Sequence, residues 1–148
     1  MKPQIKSLPL NGVQMMMQKT ETINIQSSGD VVLVRQCVRQ LAVEIGFGLV
    51  DQTKIVTAAS ELARNTLDYG GGGIVKLETL QSGQRRGLQL TFEDQGPGIP
   101  DIELALKDGF TTGNGLGMGL GGAKRLANEF EIQSAVGEGT RIKIVRWK

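Results

Sequence analysis

Four consecutive glycines, Gly70 to Gly73, separate a stretch of helical periodicity from one of strand alternation, and no regular element is expected to run through them. Upstream, Ile55, Ala59, Leu62, Ala63 and Thr66 recur at helical spacing behind Asp51, a good N-cap, so a helix is predicted to end where Tyr69 meets the glycines. Before it, Ser28-Gly29-Asp30 supplies a turn and cap. A further helix follows there, with Val34, Cys37, Val38, Leu41 and Ile45 on one stripe until Gly46 and Gly48. Glu21 to Gln26 alternates like a half-buried strand, whereas residues 1–19 show neither period and are expected to form a flexible tail.

Downstream of the glycines, Ile74 to Leu80 and Gly87 to Asp94 are strand-like around Gln81-Ser82-Gly83-Gln84, which predicts an antiparallel hairpin. A short helical stretch around Ile102 to Leu106 precedes the glycine-rich run Gly113 to Gly122. That run leads into a helix with Ala123, Leu126, Ala127 and Phe130 as its apolar face. Ile132 to Ala135 and Thr140 to Trp147 form a last hairpin. The order predicts an α/β (α+β) two-layer sandwich, with helices on one face of a mixed, largely antiparallel sheet and residues 20–148 as one domain. A ligand belongs between the layers.

Composition narrows the chemistry. The net charge of +2 is too small to imply a nucleic-acid or membrane surface, and no apolar stretch approaches the roughly 20 residues that span a bilayer. The single cysteine, Cys37, lies in an apolar period and reads as a small core residue, which fits a reducing cytoplasm. Histidine is absent, which removes imidazole bases, imidazole zinc sites and phosphohistidine relays. Catalysis is left to carboxylates, amides, backbone and metal.

Three groups of residues carry chemistry. Glu61 and Asn65 lie one turn apart on the second helix, about 40° apart around its axis, at the rim of the apolar stripe. An asparagine oxygen there suits Mg²⁺, and a carboxylate one turn away suits a general base. Taken alone, the pair also reads as a solvated helix face. Asp94-Gln95-Gly96-Pro97-Gly98 follows a strand, and its glycines permit a turn and the close approach of a flat ring. The Asp94 carboxylate accepts hydrogen bonds, which suits the exocyclic amine of adenine and opposes the guanine oxygen at that place. A Pro-Gly turn with a surface aspartate is the plain alternative. The third group is Gly113-Asn114-Gly115-Leu116-Gly117-Met118-Gly119-Leu120-Gly121-Gly122, whose bare N–H groups before a helix would cradle phosphates while Leu116, Met118 and Leu120 anchor the segment. Neither a Walker loop nor a Rossmann context is present.

In this order the residues resemble the N-box and glycine boxes of the GHKL ATPases, the Bergerat-fold superfamily of gyrase, the Hsp90 chaperone, histidine kinases and mismatch-repair ATPases. The resemblance spans about Thr20 to Arg146. It implies ATP and Mg²⁺ as cofactors, with Glu61 as base and Asn65 as metal ligand. Asp94, Gly96 and Gly98 would then bind adenine, and Gly115, Gly117 and Gly119 the phosphates. The threonine of Gly139-Thr140 would help hold adenine. Short length argues against members with transducer domains, and the missing histidine against self-phosphorylating histidine kinases. What remains is similar to the serine/threonine switch kinases and anti-sigma factor kinases. That resemblance implies phosphorylation of a STAS-domain antagonist, release of the kinase from it to activate a PP2C-type phosphatase, and control of a stress-response sigma factor by partner switching. Tyr69-Gly70 replaces the His-Ala common in sigma-binding members, and Asn114-Gly115 stands where an arginine often precedes the glycine run. This leaves open which cation meets the γ-phosphate. A partner-sequestering module with ATP as a structural ligand is the alternative, and ATP hydrolysis without protein transfer is a third possibility.

Overall fold

The computed structural model describes residues 6–10, 13–107 and 119–148, with side chains from Lys19 onward. Ten elements follow in order: β1 (Lys6–Leu10), β2 (Val13–Ile25), α1 (Ser28–Glu44), α2 (Leu49–Asp68), β3 (Gly73–Ser82), β4 (Arg85–Asp94), α3 (Ile102–Ala105), α4 (Gly119–Arg125), β5 (Glu129–Ser134) and β6 (Thr140–Trp147). The strands form a six-stranded sheet in the order β1-β2-β3-β4-β6-β5. Every described pair is antiparallel, so no parallel pair makes the sheet mixed among the described residues.

The helices cover one face of the sheet, as the apolar periods require. α1 is capped by Ser27, one residue before the expected Ser28-Gly29-Asp30 cap; its Oγ accepts from the Asp30 backbone N–H at 3.3 Å while Asp30 Oδ2 accepts from the Ser27 N–H at 3.1 Å. Such a reciprocal cap contributes about 1 kcal/mol. Val31, Val34, Val38 and Leu41 then face inward, onto Ile25 and the α2 residues Ile55, Ala59 and Leu62. From the sheet, Val75 and Leu77 of β3, Leu90 and Phe92 of β4, and Ile142 and Ile144 of β6 complete the core. Cys37 packs half-buried against it, and burial, reinforced by the Glu21 charge, pushes its thiol up from the ordinary range.

Three expectations need correction. Regular structure begins before Thr20, because β1 pairs with β2 and β2 pairs with β3 as far as Met16↔Gln81, and these partners are distant in sequence. α2 is capped by Gly48 rather than Asp51. Asp51 Oδ1 instead accepts from Arg146 Nη2 at 2.6 Å, and Arg146 Nη1 donates to the Leu126 carbonyl at 2.8 Å, which ties the turn after α4 to α2. The helix after the glycine run ends at Arg125, and Phe130 belongs to β5, paired with Ile144. Strand pairing outweighs the helical spacing there. Among the described residues no helix is long and apolar enough to cross a membrane.

Candidate functional site

The C-terminal end of α2 and the C-terminal end of β4 meet at one place. Asp94, the last residue of β4, is flanked by Gly73 of β3 and Thr140 of β6. Gly70, just past α2, abuts the Asp94 carboxyl group so closely that a Cβ at position 70 would overlap it. Asp94 Oδ1 accepts from the Gly96 N–H at 3.0 Å. Burial raises the Asp94 carboxyl above the ordinary aspartate range, and hydrogen bonds from the Gly96 and Thr140 backbones pull it part of the way back.

The loop after Asp94 is held at several points. Tyr69 Oη donates to the Gly98 carbonyl at 2.9 Å, the Gly137 N–H donates to the Pro97 carbonyl at 2.8 Å, and the Ile99 N–H donates to Ser134 Oγ at 2.8 Å. Gly98 has φ +78°, and a Cβ there would collide with the Ala135 carbonyl oxygen, so the turn admits only glycine without strain.

Between these elements lies a cavity of about 250 Å³. Leu62, Thr66, Phe92 and Ile142 give it an apolar floor, and Asn65, Asp94 and Thr140 supply polar side chains. Ile99, Pro100, Leu104 and Ala105 close one side, with Gly119 and Leu120 of α4 beside them. A mostly apolar slot with a half-buried carboxylate acceptor suits a flat heterocycle that presents an amine. Asn65 contributes its side chain to the same slot. Among the described residues no group of three His, Cys, Asp or Glu side chains could hold a metal ion.

Residues 50–148 match the family described as histidine kinase-, DNA gyrase B-, and HSP90-like ATPase. The chain belongs to this family. It is thus an ATP-using domain. Serine/threonine-protein kinase RsbT of Bacillus subtilis (strain 168) is 47% identical over 131 residues, covering 88% of this chain and 98% of that protein. Anti-sigma F factor of Thermoanaerobacter sp. (strain X514) is 27% identical over 129 residues, covering 83% of this chain and 89% of that protein. In fold, the chain is similar to the crystal structure of the RsbU and RsbW domains of Rv1364c from Mycobacterium tuberculosis, with a TM-score of 0.61 at 21% identity. That likeness covers 88% of this chain and 33% of the other.

Of the residues singled out from sequence in this ATPase domain, Asn65, Asp94, Gly119, Leu120 and Thr140 line the cavity. Gly96 and Gly98 shape the loop beside it rather than its wall. Glu61 does not line it; half-buried on α2, one turn before Asn65, its side chain makes no hydrogen bond among the described residues. Gly115, Leu116, Gly117 and Met118 lie outside the described residues. Tyr69, Ile99, Pro100, Leu104 and Ala105 were not anticipated. Tyr69 had a readable signal, since it follows Asn65 by four residues and so shares its helix face. The others come from a loop and a four-residue helix capped by Asp101, where periodicity carries little information.

Proposed function

We propose that this serine/threonine protein kinase transfers the γ-phosphate of ATP to a hydroxyl of a STAS-domain antagonist protein. In this reading the Asp94 carboxylate accepts from the adenine amine, Thr140 assists, and Gly96 and Gly98 let the ring approach. Asn65 gives its amide oxygen to Mg²⁺, and bare peptide N–H groups of Gly115 to Gly121 meet the phosphates. Mg²⁺, when bound, neutralises charge on the phosphate oxygens. Glu61 orients the acceptor hydroxyl and takes its proton as that oxygen bonds to the γ-phosphorus and ADP departs. Positioning and electrostatics supply the acceleration.

The observation that carries the reading is the meeting of Asp94 and Asn65 on one largely apolar cavity, at the ends of a strand and a helix distant in sequence. Likeness to RsbT supports protein serine or threonine as acceptor. The wider reading is a cytoplasmic partner switch, with residues 20–148 as the ATP-binding domain after the segment 1–19. Released from that antagonist, the kinase would activate a PP2C-type phosphatase, with a stress-response sigma factor downstream. The anti-sigma F factor relatives favour a second reading, a module that sequesters its partner with little transfer.

Radiolabelled ATP incubated with the chain and its STAS-domain partner separates the two. Transfer by the wild type, abolished in Glu61→Ala while ATP binding persists, supports the kinase mechanism. Stable partner capture without label supports sequestration, and undiminished transfer by Glu61→Ala removes Glu61 from its role.

A further inference from the structure

α4 is a helix whose own sequence does little to hold it. Gly121 and Gly122, inside it, each cost roughly 1 kcal/mol relative to alanine, and its buried residues are Gly119, Leu120, Gly121, Gly122 and Ala123. Apart from Leu120, that face has no side chain large enough to lock into the grooves of a neighbouring helix, so packing fixes its position on α2 only weakly. Contacts from outside the helix must do so. Near its start, a Cβ on Gly121 would overlap the Leu106 carbonyl oxygen, so the end of α3 lies directly against the α4 backbone. Just past its end, Arg146 of β6 donates from Nη1 to the Leu126 carbonyl at 2.8 Å and from Nη2 to Asp51 Oδ1 at 2.6 Å, with its side chain only 12% exposed. Asn128, two residues further on, is fixed to β6 by its N–H to the Val145 carbonyl at 2.9 Å and by its Oδ1, which accepts from the Trp147 N–H at 2.7 Å. The chain therefore leaves α4 at a fixed point, and Arg146, acting earlier on Leu126, sets the direction of the helix about it.

Gly119 and Leu120, at the opposite end of the same helix, line the cavity. At 1.5 Å per residue, clamp and cavity wall are about 10 Å apart on one short element, so a small swing at Leu126 is felt at Gly119. We propose that Arg146 is a positioning residue for the triphosphate: by joining the turn after α4 to the first turn of α2, it holds the glycine run that ends in α4 where its N–H groups reach the phosphates. Asp51 is the ion-pair partner that aims the guanidinium. The fork matters, because one planar guanidinium serves both acceptors at once, whereas a lysine ammonium is a single point charge. Asp94 and Thr140, which serve the base, belong to β4 and to the far end of β6 and do not depend on α4. The effect therefore falls on the phosphates and spares adenine. The inference rests on the phosphate role given to the glycine run in the proposed function.

Calorimetric titration of the full chain with ATP and Mg²⁺, and separately with adenosine, tests it. Arg146→Met keeps the length of the side chain and removes both bonds. It should lower ATP affinity about five- to tenfold, the scale of one hydrogen bond, and leave adenosine affinity within about twofold of the wild type. Arg146→Lys, which keeps the charge without the fork, should recover only part of the ATP affinity. Asp51→Asn should lower ATP affinity in the same sense, and combining it with Arg146→Met should add little, since both act through one guanidinium. Gly83→Ala, in the β3–β4 turn, controls for lost stability and should leave the ratio of ATP to adenosine affinity unchanged. If Arg146→Met fails to fold, Arg146→Lys carries the test through the same ratio. An unchanged ratio in the folded Arg146 variants, with both affinities falling together or neither falling, would make Arg146 a structural residue and overturn the proposal while the phosphate reading stands. Wild-type binding of ATP no tighter than that of adenosine would overturn the phosphate reading and this inference with it.

Discussion

The Tyr69 hydroxyl reaches the Gly98 carbonyl oxygen at 2.9 Å, joining the end of α2 to the loop beyond Asp94 across 29 positions of sequence. One phenol thereby holds together the two elements that carry Asn65 and Asp94. Tyr69→Phe keeps the ring in the cavity wall and removes only this bond. It should lower stability by about 1 kcal/mol and ATP affinity about fivefold, leaving kcat largely intact. Urea unfolding and ATP titration check the two effects separately.

Asp94 sets a trade between stability and binding. Its carboxyl titrates above the ordinary aspartate range because burial disfavours the charge, with the Gly96 and Thr140 backbones opposing that effect. A raised folded-state value means stability present below the unfolded-state pKa and lost as pH rises through the folded one. Ligand-free Asp94→Asn should therefore melt above the wild type at neutral pH, and the gap should close on acidification. Its ATP affinity should fall at least tenfold, the scale of a charge-assisted hydrogen bond. Wild-type ATP affinity should also decline on acidification at a higher pH than an ordinary aspartate would produce. Melting curves and titrations across pH decide these points.

Two glycines with positive φ should respond differently to the same change. Gly98 (φ +78°) faces the Ala135 carbonyl, whereas Gly83 (φ +62°), in the β3–β4 turn, has nothing within 4 Å of an added Cβ. Gly83→Ala should cost about 1 kcal/mol from backbone strain and leave ATP binding unchanged. Gly98→Ala adds a steric collision, so a loss above about 2 kcal/mol together with weakened ATP binding is expected. Chemical denaturation and titration of both variants provide the comparison.

The ion pairs differ in value according to burial. The Arg146 side chain is 12% exposed, bonded to Asp51 and to the Leu126 carbonyl, while Lys143 and Glu131 are paired at 3.0 Å on a more open surface. Asp51→Ala leaves a mostly buried guanidinium short of its carboxylate and should cost about 2 kcal/mol. Glu131→Ala should cost under about 1 kcal/mol, and less again in high salt. Urea midpoints at two salt concentrations measure both.

Much of the site was legible because its parts are local. Asp94 ends an alternating strand and is followed at once by turn residues, and Asn65 sits on the rim of a helical stripe. The cap of α1 was legible only to within a residue, since the sequence pointed to Ser28-Gly29-Asp30 whereas the N-cap is Ser27, with Asp30 closing the box from inside the helix. Neither β1, the N-terminal reach of β2, nor the transfer of Phe130 from helix to strand could be read this way. Their stability comes from cross-strand partners far away in sequence, as in Met17↔Leu80 and Phe130↔Ile144.

The amino-acid order alone therefore determined the helix-facing apolar stripes, the glycine breaks and the kinds of polar group available to a nucleotide, since each depends on neighbours within a turn or two. The tertiary structure alone decided that Tyr69 braces Gly98, that Ser134 Oγ meets Thr140 Oγ1, and that α3 walls the cavity. Those relations require the hairpin, the helix end and the loop to pack simultaneously, and hydrogen bonds between distant segments leave no periodic trace in the chain.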